Sequence, residues 1–190
     1  MSFIDLRTLN EKICTCQLCP LSINRTFAVP GSGPSPAKIM LVGEAPGREE
    51  DLKGLPFVGR AGRLLDEALM QAGLERSEVF ITSVVKCRPP ENRKPKKEEI
   101  SLCHPYLQAQ MDLVQPGIVC LMGNTATQAV LGMQGVTALR GQIHQDRFLI
   151  TYHPAAVLRN RNLMDEFVSD LRKADMNKET GALGDVSGKD

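Results

Sequence analysis

The sequence has no signal-peptide pattern, no apolar run long enough to cross a membrane and no internal repeat. We therefore expect a cytoplasmic protein whose six cysteines are reduced thiols or metal ligands. The net charge is only +1, which neither requires nor excludes a nucleic-acid partner. With 190 residues, 42% of them hydrophobic, one packed domain is expected over residues 1–175, followed by a polar, disordered tail over 176–190.

Four of the six cysteines have the pattern of one metal site. Cys16 and Cys19 form a Cys-x2-Cys turn, while Cys87 and Cys103 lie far along the chain. Tetrahedral sulfur coordination suits either zinc or an iron–sulfur cluster, and the alternative is a set of unconnected thiols. Cys14 is also within ligand range of Cys19, so spacing alone does not choose between Cys14 and Cys16. A shared metal would tie the N-terminal segment to the middle of the chain.

Short apolar segments alternate with amphipathic segments. Buried strands are predicted over residues 38–43, 79–85, 117–122 and 148–151. Helices are predicted after a capping-box pattern at residues 2–5, at residues 64–72, after Lys96 with a break at Pro105, from Asn124 to about Gly132, and from Asn162 onward. This alternation is typical of an α/β fold in which a parallel sheet lies between helical layers.

A chemically distinctive segment follows each predicted strand, at residues 43–47, 86–89, 123–124 and 152–154. Ligands of parallel sheets bind beyond the carboxyl ends of the strands, so these segments should converge on one site. The first segment lacks the Gly-Lys-Ser/Thr ending of a phosphate loop. It is either a plain strand-to-helix turn or a functional turn that brings Glu44 and Glu50 to the site.

Phe57 and His153 are the side chains best suited to hold a planar ligand. An isolated Phe is a stacking platform or a core residue, and a His after a strand is an acid, a base, a hydrogen-bond donor or a packing residue. Basic residues are dense between Lys86 and Lys97 and recur at Arg159 and Arg161. Two basic clusters at one predicted sheet edge favour nucleic-acid phosphates over a solvated loop.

Taken together, the segments Gly43–Gly47, Leu55–Gly59, Val84–Arg93 and His153–Ala155 resemble the family-4 uracil-DNA glycosylases. The likeness runs in the same order over about residues 10–172 and is more specific than any single motif. It implies the three-layer α/β/α fold of the uracil-DNA glycosylase superfamily, with a central four-stranded parallel sheet. It also implies a [4Fe–4S] cluster, whose ligand pattern falls on Cys16, Cys19, Cys87 and Cys103. These ligands bracket the basic loop, so the cluster is expected to order that loop against DNA.

The resemblance further implies a monofunctional DNA-repair glycosylase, acting as a monomer on uracil-containing DNA, single- or double-stranded. It would flip uracil out of the stack and hydrolyse the N-glycosidic bond, leaving an abasic site. The implied catalytic residues are Glu44, Glu50 and His153, with His153 bound to uracil O2. The implied substrate-binding residues are Ala45, Phe57, Ser83 and Asn92. DNA contacts are expected from Arg88, Arg93, Leu158 and Arg159, the last two wedging into the vacated stack. No lysine is placed as a Schiff-base nucleophile, so strand cleavage is not expected.

One position departs from the family pattern. Ser83 stands where the family usually has an Asn whose amide reads the uracil edge. The Ser hydroxyl is shorter, although it can both donate and accept a hydrogen bond. We expect uracil to remain the substrate with altered selectivity, and Asn92 to compensate in part. Excision of cytosine or thymine as fast as uracil would reject this expectation.

Three other functions fit parts of the pattern. A zinc-stapled nucleic-acid-binding module without catalysis would contain stoichiometric zinc. An iron–sulfur relative that captures uracil covalently is disfavoured, because the short stretch between Gly47 and Phe57 lacks a basic insertion carrying His. A glycosylase for another deaminated base is suggested by Ser83.

Overall fold

Five strands form one sheet: β1 (Ile39–Gly43), β2 (Val79–Ser83), β3 (Ile118–Met122), β4 (Ile143–His144) and β5 (Phe148–Thr151). The computed structural model describes residues 5–178. The strand order is β2–β1–β3–β5–β4, and all neighbours are parallel except β4, which runs antiparallel to β5. The four predicted strands are confirmed. The additional strand, β4, has only two residues, too few to carry a periodic pattern.

The α-helices of the described chain are α1 (Leu6–Cys14), α2 (Arg48–Lys53), α3 (Arg60–Ala72), α4 (Lys97–Val114), α5 (Asn124–Leu131), α6 (Val136–Leu139), α7 (Pro154–Arg159) and α8 (Met164–Asn177). None of these helices has the length and apolar character needed to span a bilayer. Short 3-10 turns lie at Pro20–Ser22, Arg76–Glu78, Pro90–Asn92 and Arg161–Leu163.

The sheet is buried on both faces, which confirms the predicted three-layer arrangement. Alternate residues of β1 enter separate apolar clusters: Ile39 and Leu41 pack with α3 and α8, while Met40 and Val42 pack with α1 and α4. This is why β1 reads as a continuous apolar run rather than an alternating one. Because the strands are parallel, their carboxyl ends share one edge of the sheet.

Helix α4 continues through Pro105, where the sequence predicted a break. Proline cannot donate to the carbonyl of Ser101, but both residues are exposed, so water can satisfy that carbonyl. The opposite face of the helix buries Tyr106 and Leu107 against the sheet cluster. Burial on that face therefore outweighs the loss of one solvent-side hydrogen bond.

Two predicted helix caps were wrong. Gly123 caps α5, and the side chain of Asn124 instead accepts hydrogen bonds from the amides of Gly135 and Val136, both at 3.1 Å. Asn162 lies inside a 3-10 turn, and the last helix begins two residues later at Met164. Neither observed cap, Gly123 or Leu163, supplies a side-chain hydrogen bond, so the usual preference for Asn at the N-cap misplaced both helix starts.

The ends of the chain are only partly described. Asp5, which the predicted capping box placed three residues after its cap, is itself the N-cap of α1 and accepts the amide of Thr8 at 2.7 Å, while Ser2 lies outside the described residues. Helix α8 extends to Asn177, so the first residues of the expected tail are helical. Residues 179–190 of that tail also lie outside the described range.

Candidate active site

A cavity of about 230 Å³, here called the base cavity, lies where the carboxyl ends of β1, β2 and β5 meet. Its wall contains every residue predicted to act in catalysis or base binding: Glu44, Ala45, Glu50, Phe57, Ser83, Asn92 and His153. Residues 123–124 do not line it and face an adjoining groove instead. The volume lies below the range of about 300–1,000 Å³ typical of drug-sized ligands. A single planar ring suits this space.

His153 offers the base cavity an uncharged hydrogen-bond donor. Its Nδ1 accepts a hydrogen bond from the amide of Ala155 at 3.1 Å, at the start of α7. The neutral ring therefore carries its proton on Nε2. Burial, and secondarily the positive charge of Arg159, lowers the pKa of His153 to about 4. At neutral pH the ring can thus donate from Nε2 without carrying a charge.

The Phe57 ring forms one face of the base cavity. Its centroid lies 5.8 Å from that of His153, with 38° between the ring planes. The backbone of Phe57 is in the left-handed region at φ 50°, which is unfavourable for a bulky residue. Added Cβ atoms on Gly43 and Gly62 would lie 2.6 Å from the ring and 1.9 Å from the Phe57 carbonyl oxygen. Both glycines are therefore needed for the ring to occupy this position.

Glu44 directly follows β1, and its side chain is held by a residue of α5. Its Oε2 accepts a hydrogen bond from the hydroxyl of Thr125, a buried residue at the start of α5. The other carboxylate oxygen of Glu44, Oε1, has no hydrogen-bond partner among residues 5–178. The Glu44 side chain lines the base cavity. Oε1 can accept a hydrogen bond from a water molecule.

Glu50 has a different environment, because backbone amides occupy its carboxylate. Oε2 accepts the amide of Gly47 at 3.0 Å, and Oε1 accepts those of Val58 at 2.9 Å and Gly59 at 2.8 Å. Gly47 is the N-cap of α2 and Gly59 is the N-cap of α3. One carboxylate therefore caps two helices at once.

Ser83 ends β2 and lies in the cavity wall, with Lys86 packed beneath it. The Lys86 side chain is only 1% exposed, and its Nζ donates to the Ser83 carbonyl at 2.6 Å, to Thr82 Oγ1 at 2.7 Å and to Gln110 Oε1 at 2.6 Å. Burial lowers the pKa of Lys86 to about 8. Because three acceptors surround Nζ and the residue does not line the cavity, Lys86 fixes the end of β2. The sequence placed it among phosphate-binding residues, and its burial rules that out.

The basic loop after Cys87 contains one internally paired arginine and one that is partly free. The guanidinium of Arg93 pairs in bidentate fashion with buried Glu99, at 2.6 and 2.9 Å. Its charge is thus committed to holding the loop against the start of α4.

Arg88 uses only its Nε, which donates to Asn92 Oδ1 at 2.7 Å. This contact turns the amide nitrogen of Asn92 away from Arg88.

An open groove of about 760 Å³ adjoins the base cavity. Both spaces are lined by Glu44, Asn92, His153 and Ala155. Lys94 and Arg159 are exposed at the groove. Leu158 is half-buried and packs partly against the core, while Arg161 pairs with Glu67 at 2.7 Å. Of these side chains, Lys94 and Arg159 are the ones exposed in the groove wall and suited to phosphate contact.

The four predicted ligand cysteines lie together on the α1–α4 side of the sheet. Cys16 and Cys19, on the turn after α1, pack against the apolar cluster that contains Cys87 and Cys103. Cys14 is exposed and is not part of that cluster. This arrangement favours Cys16 over Cys14, a choice that spacing had left open.

Three N–H groups donate to these sulfurs. Arg25 Nη1 lies 2.9 Å from Cys87 Sγ, the Lys86 amide 3.3 Å from Cys103 Sγ, and the Leu18 amide 3.5 Å from Cys16 Sγ. Hydrogen bonds of this kind are usual around the thiolates of iron–sulfur clusters. Arg25 also donates to the Cys14 carbonyl at 2.8 Å, which links the N-terminal turn to the loop after β2.

A single metal ion and a cluster place different demands on these sulfurs. Among residues 5–178, no three His, Cys, Asp or Glu side chains are arranged to hold a single metal ion. A tetrahedral zinc site with Zn–S bonds of about 2.3 Å would need its sulfurs roughly 4 Å apart. A cluster spreads its ligands farther, because iron and sulfide atoms lie between them. Four cysteine thiolates are a donor set that both zinc and an iron–sulfur cluster accept.

Of three residues that organise this region, two had no role in the sequence prediction and the third, Lys86, was assigned to phosphate binding. Thr125 holds Glu44, Arg25 joins two cysteine segments, and Lys86 supports Ser83. Lys86 follows two apolar valines, but lysines at strand ends are usually solvated, so no sequence pattern indicated its burial. Thr125 and Arg25 carry no local pattern, because each acts on a residue distant in sequence.

Comparisons with known proteins agree with this geometry. A family model described as the uracil DNA glycosylase superfamily matches residues 30–172. A type-4 uracil-DNA glycosylase from Pyrobaculum aerophilum is 46% identical over 88% of this chain and 92% of its own length. Those from Archaeoglobus fulgidus and Thermotoga maritima are 39% and 40% identical, covering 97% and 89% of this chain and 94% and 92% of their own. On these matches, the chain belongs to the type-4 branch of the uracil DNA glycosylase superfamily.

Proposed function

We propose that this protein removes uracil from DNA by hydrolysing the N-glycosidic bond, as a monofunctional glycosylase of base-excision repair. The observation that carries the proposal is the base cavity, in which a fixed Phe57 ring faces a neutral His153 donor. A base inside duplex DNA is hidden, so its nucleotide must be flipped into such a cavity before the bond can break.

The chemistry follows from the two sides of the cavity. As the C1′–N1 bond breaks, its electron pair stays with uracil, and the resulting anion accepts a hydrogen bond at O2 from His153 Nε2. A water molecule held by the free oxygen of Glu44 bonds to C1′ and gives up its proton to that carboxylate. His153 acts through charge stabilisation, which is effective in a site of low dielectric constant. No lysine lines the base cavity among residues 5–178, and Lys86 is held away from it by three acceptors, so we expect no strand cleavage after base removal.

Base selectivity depends on Ser83 and Asn92. The Ser83 hydroxyl can donate or accept, so it does not by itself separate uracil from cytosine. Asn92 Oδ1 already accepts from Arg88, which leaves its amide nitrogen as a donor toward the cavity mouth. A donor there suits the O4 carbonyl of uracil and not the amino group of cytosine. Uracil therefore remains the preferred base despite the short side chain at position 83.

Cys16, Cys19, Cys87 and Cys103 would hold a [4Fe–4S] cluster. When bound, the cluster would act as a structural cross-link between the turn after α1, the loop after β2 and helix α4. The residues around it supply the N–H···S hydrogen bonds described above. By fixing Cys87, the cluster would order the loop that presents Arg88, Asn92 and Lys94.

The groove next to the base cavity would hold the DNA strand that carries the uracil, single- or double-stranded. Lys94 and exposed Arg159 would contact phosphates, and Arg88 would do so through its terminal nitrogens. Leu158 would enter the vacated stack, aided by its position at the end of α7. We further propose that the protein works as a cytoplasmic monomer, with residues 1–175 as one catalytic domain.

The direct test is incubation of the iron-loaded protein with single- and double-stranded DNA containing one uracil, followed by alkali to reveal abasic sites. We expect cleavage at the uracil position only after alkali, with free uracil released in equal amount. A His153→Ala protein should lose about 10²–10³-fold in single-turnover rate. If excess protein leaves no alkali-sensitive site in either DNA, the proposed function is wrong. Unchanged turnover of the His153→Ala protein would remove His153 from the mechanism.

A further inference from the structure

Glu50 lines the base cavity beside Glu44, yet the partners of its carboxylate point to a different task. Three backbone amides donate to it at 2.8–3.0 Å, two of them to the same oxygen. A carboxylate has about four lone-pair sites, so most of its accepting capacity is used. A base or water-holding group needs that capacity free. Glu44, with one unpartnered oxygen among the described residues, is the carboxylate that retains it.

The three amides also identify what Glu50 holds in place. Gly47 belongs to the turn after β1, whereas Val58 and Gly59 directly follow Phe57. The carboxylate thus connects the turn that carries Glu44 to the segment that carries the Phe57 ring. Added Cβ atoms on Gly47 and Gly59 would lie 2.7 Å and 3.2 Å from its oxygens. Both glycines permit the carboxylate to approach the backbone this closely.

The segment that Glu50 holds has a conformation that needs support. Phe57 is in the left-handed region at φ 50°, a backbone conformation that is strained for a non-glycine residue. Such a residue keeps its position only where surrounding contacts determine it. The hydrogen bonds from Val58 and Gly59 to Glu50 fix the backbone immediately after the strained residue. They therefore determine where the Phe57 ring lies relative to His153.

We propose that Glu50 is a positioning residue, whose carboxylate caps α2 and α3 together and thereby sets the Phe57 ring as the stacking wall of the base cavity. This inference rests on the proposed function and refines it, because it separates the two cavity carboxylates into a water-holding Glu44 and a positioning Glu50. Loss of Glu50 should weaken docking of the flipped base more than it slows bond cleavage.

The test is a double-mutant cycle with Glu50→Gln and Phe57→Ala, and Glu44→Gln as the matched carboxylate control. Base docking is measured as affinity for DNA carrying a non-hydrolysable 2′-fluoro-2′-deoxyuridine, relative to the same DNA with thymidine. Cleavage is measured as the single-turnover rate at saturating protein. Glu50→Gln should lower the docking preference by about 5–30-fold and the saturated rate by less than tenfold. Glu44→Gln should do the reverse.

Glu50→Gln should have little further effect in the Phe57→Ala protein, since both changes act on the same wall. Fully additive effects, or a loss of 100-fold or more in saturated rate with docking unchanged, would instead make Glu50 a catalytic base and overturn the proposal. Reduced stability with unchanged docking would make it a helix cap without influence on Phe57, and would overturn it too.

Gly59→Ala provides a second route if Glu50→Gln does not fold. It keeps the carboxylate but places a methyl group 3.2 Å from Oε1, at a backbone φ of −85° that alanine tolerates. Docking preference should again fall more than the saturated rate, and an unchanged docking preference contradicts the proposal. A wild-type protein that neither prefers the fluorinated uracil nor releases uracil from DNA would instead reject the proposed function itself.

Discussion

The imidazole of His153 links the proposed chemistry to the stability of the fold. Its pKa falls from an ordinary value of 6.5 to about 4, first through burial and then through Arg159. Because the folded pKa lies below the unfolded one, the unfolded chain binds a proton first as the pH falls. The contribution of neutral His153 to the free energy of unfolding is fully present above about pH 6.5 and is lost progressively toward pH 4. His153 alone should thus lower the free energy of unfolding by about 2 kcal/mol between pH 7.5 and pH 5.

Urea unfolding of the wild-type and His153→Asn proteins at pH 7.5 and pH 5 measures this contribution. Asparagine does not titrate in this range, so the variant should lose about 2 kcal/mol less than the wild type on acidification. Equal losses in the two proteins would mean that the ring does not resist protonation. Both proteins contain the same cysteines, so any acid sensitivity of a bound cluster cancels in the comparison.

Ser83 offers a test of how the base edge is recognised. Replacing it by asparagine adds a carboxamide that can accept from uracil N3–H and donate to O4. We expect Ser83→Asn to raise the single-turnover efficiency on uracil by up to about fivefold, the value of one added hydrogen bond of about 1 kcal/mol. The effect should be smaller on cytosine. Matched oligonucleotides with uracil or cytosine at one position give the ratio, and an unchanged ratio would place edge recognition elsewhere, on Asn92.

At the scale of elements, the strands and α3 were predictable because each carries its own signal. An apolar run identifies a strand buried on both faces, and Gly73 in the left-handed conformation ends α3 as predicted. Helices α2 and α7 have only six residues each, too short for a periodic pattern. The path of α4 through Pro105 depends on which face is buried, a tertiary fact that proline alone does not reveal.

The turn after α1 and the loop after β2 should depend on each other through their cysteines. Cys87→Ser is expected to lose iron and to expose the amides of residues 16–27 and 86–97 to hydrogen exchange, because no strand pairing joins these two segments. Iron analysis, circular dichroism and hydrogen exchange on the same preparations check this. Cys14→Ser is the matched control and should keep its iron, since Cys14 is exposed and lies outside the apolar cluster of the four predicted ligand cysteines. Iron loss from the Cys14→Ser protein instead would reassign the ligand set.

At the scale of the whole molecule, DNA binding should depend on a few exposed cations rather than on total charge. Arg159→Gln and Lys94→Gln should each weaken binding and each lower the slope of log affinity against log salt by about 1. Arg161→Gln should change the slope little, because Glu67 already neutralises that guanidinium. Titrations of fluorescent DNA at several salt concentrations give the slopes. If Arg159→Gln and Arg161→Gln change the salt slope equally, the DNA strand does not lie in the proposed groove.

The site as a whole was predictable in location but not in its supporting contacts. A parallel sheet brings strand ends to one edge, so Glu44, Ser83 and His153 could be placed together from sequence alone. The hydrogen bonds that fix them come from residues far along the chain, such as Thr125, or from backbone amides, as at Glu50. No local pattern encodes such pairs. Arg93 shows the same limit, since its pairing with Glu99 is invisible until the loop folds.

The wall shared by the base cavity and the groove has a consequence for the order of events. Since Glu44, Asn92, His153 and Ala155 border both spaces, the mouth of the cavity opens onto the path of the DNA. A DNA strand lying in the groove would cover the mouth of the base cavity, and the released uracil would remain in the cavity beneath that strand. Departure of the abasic strand would then limit the rate of each cycle, so the reactive abasic sugar would stay shielded until that strand leaves the groove.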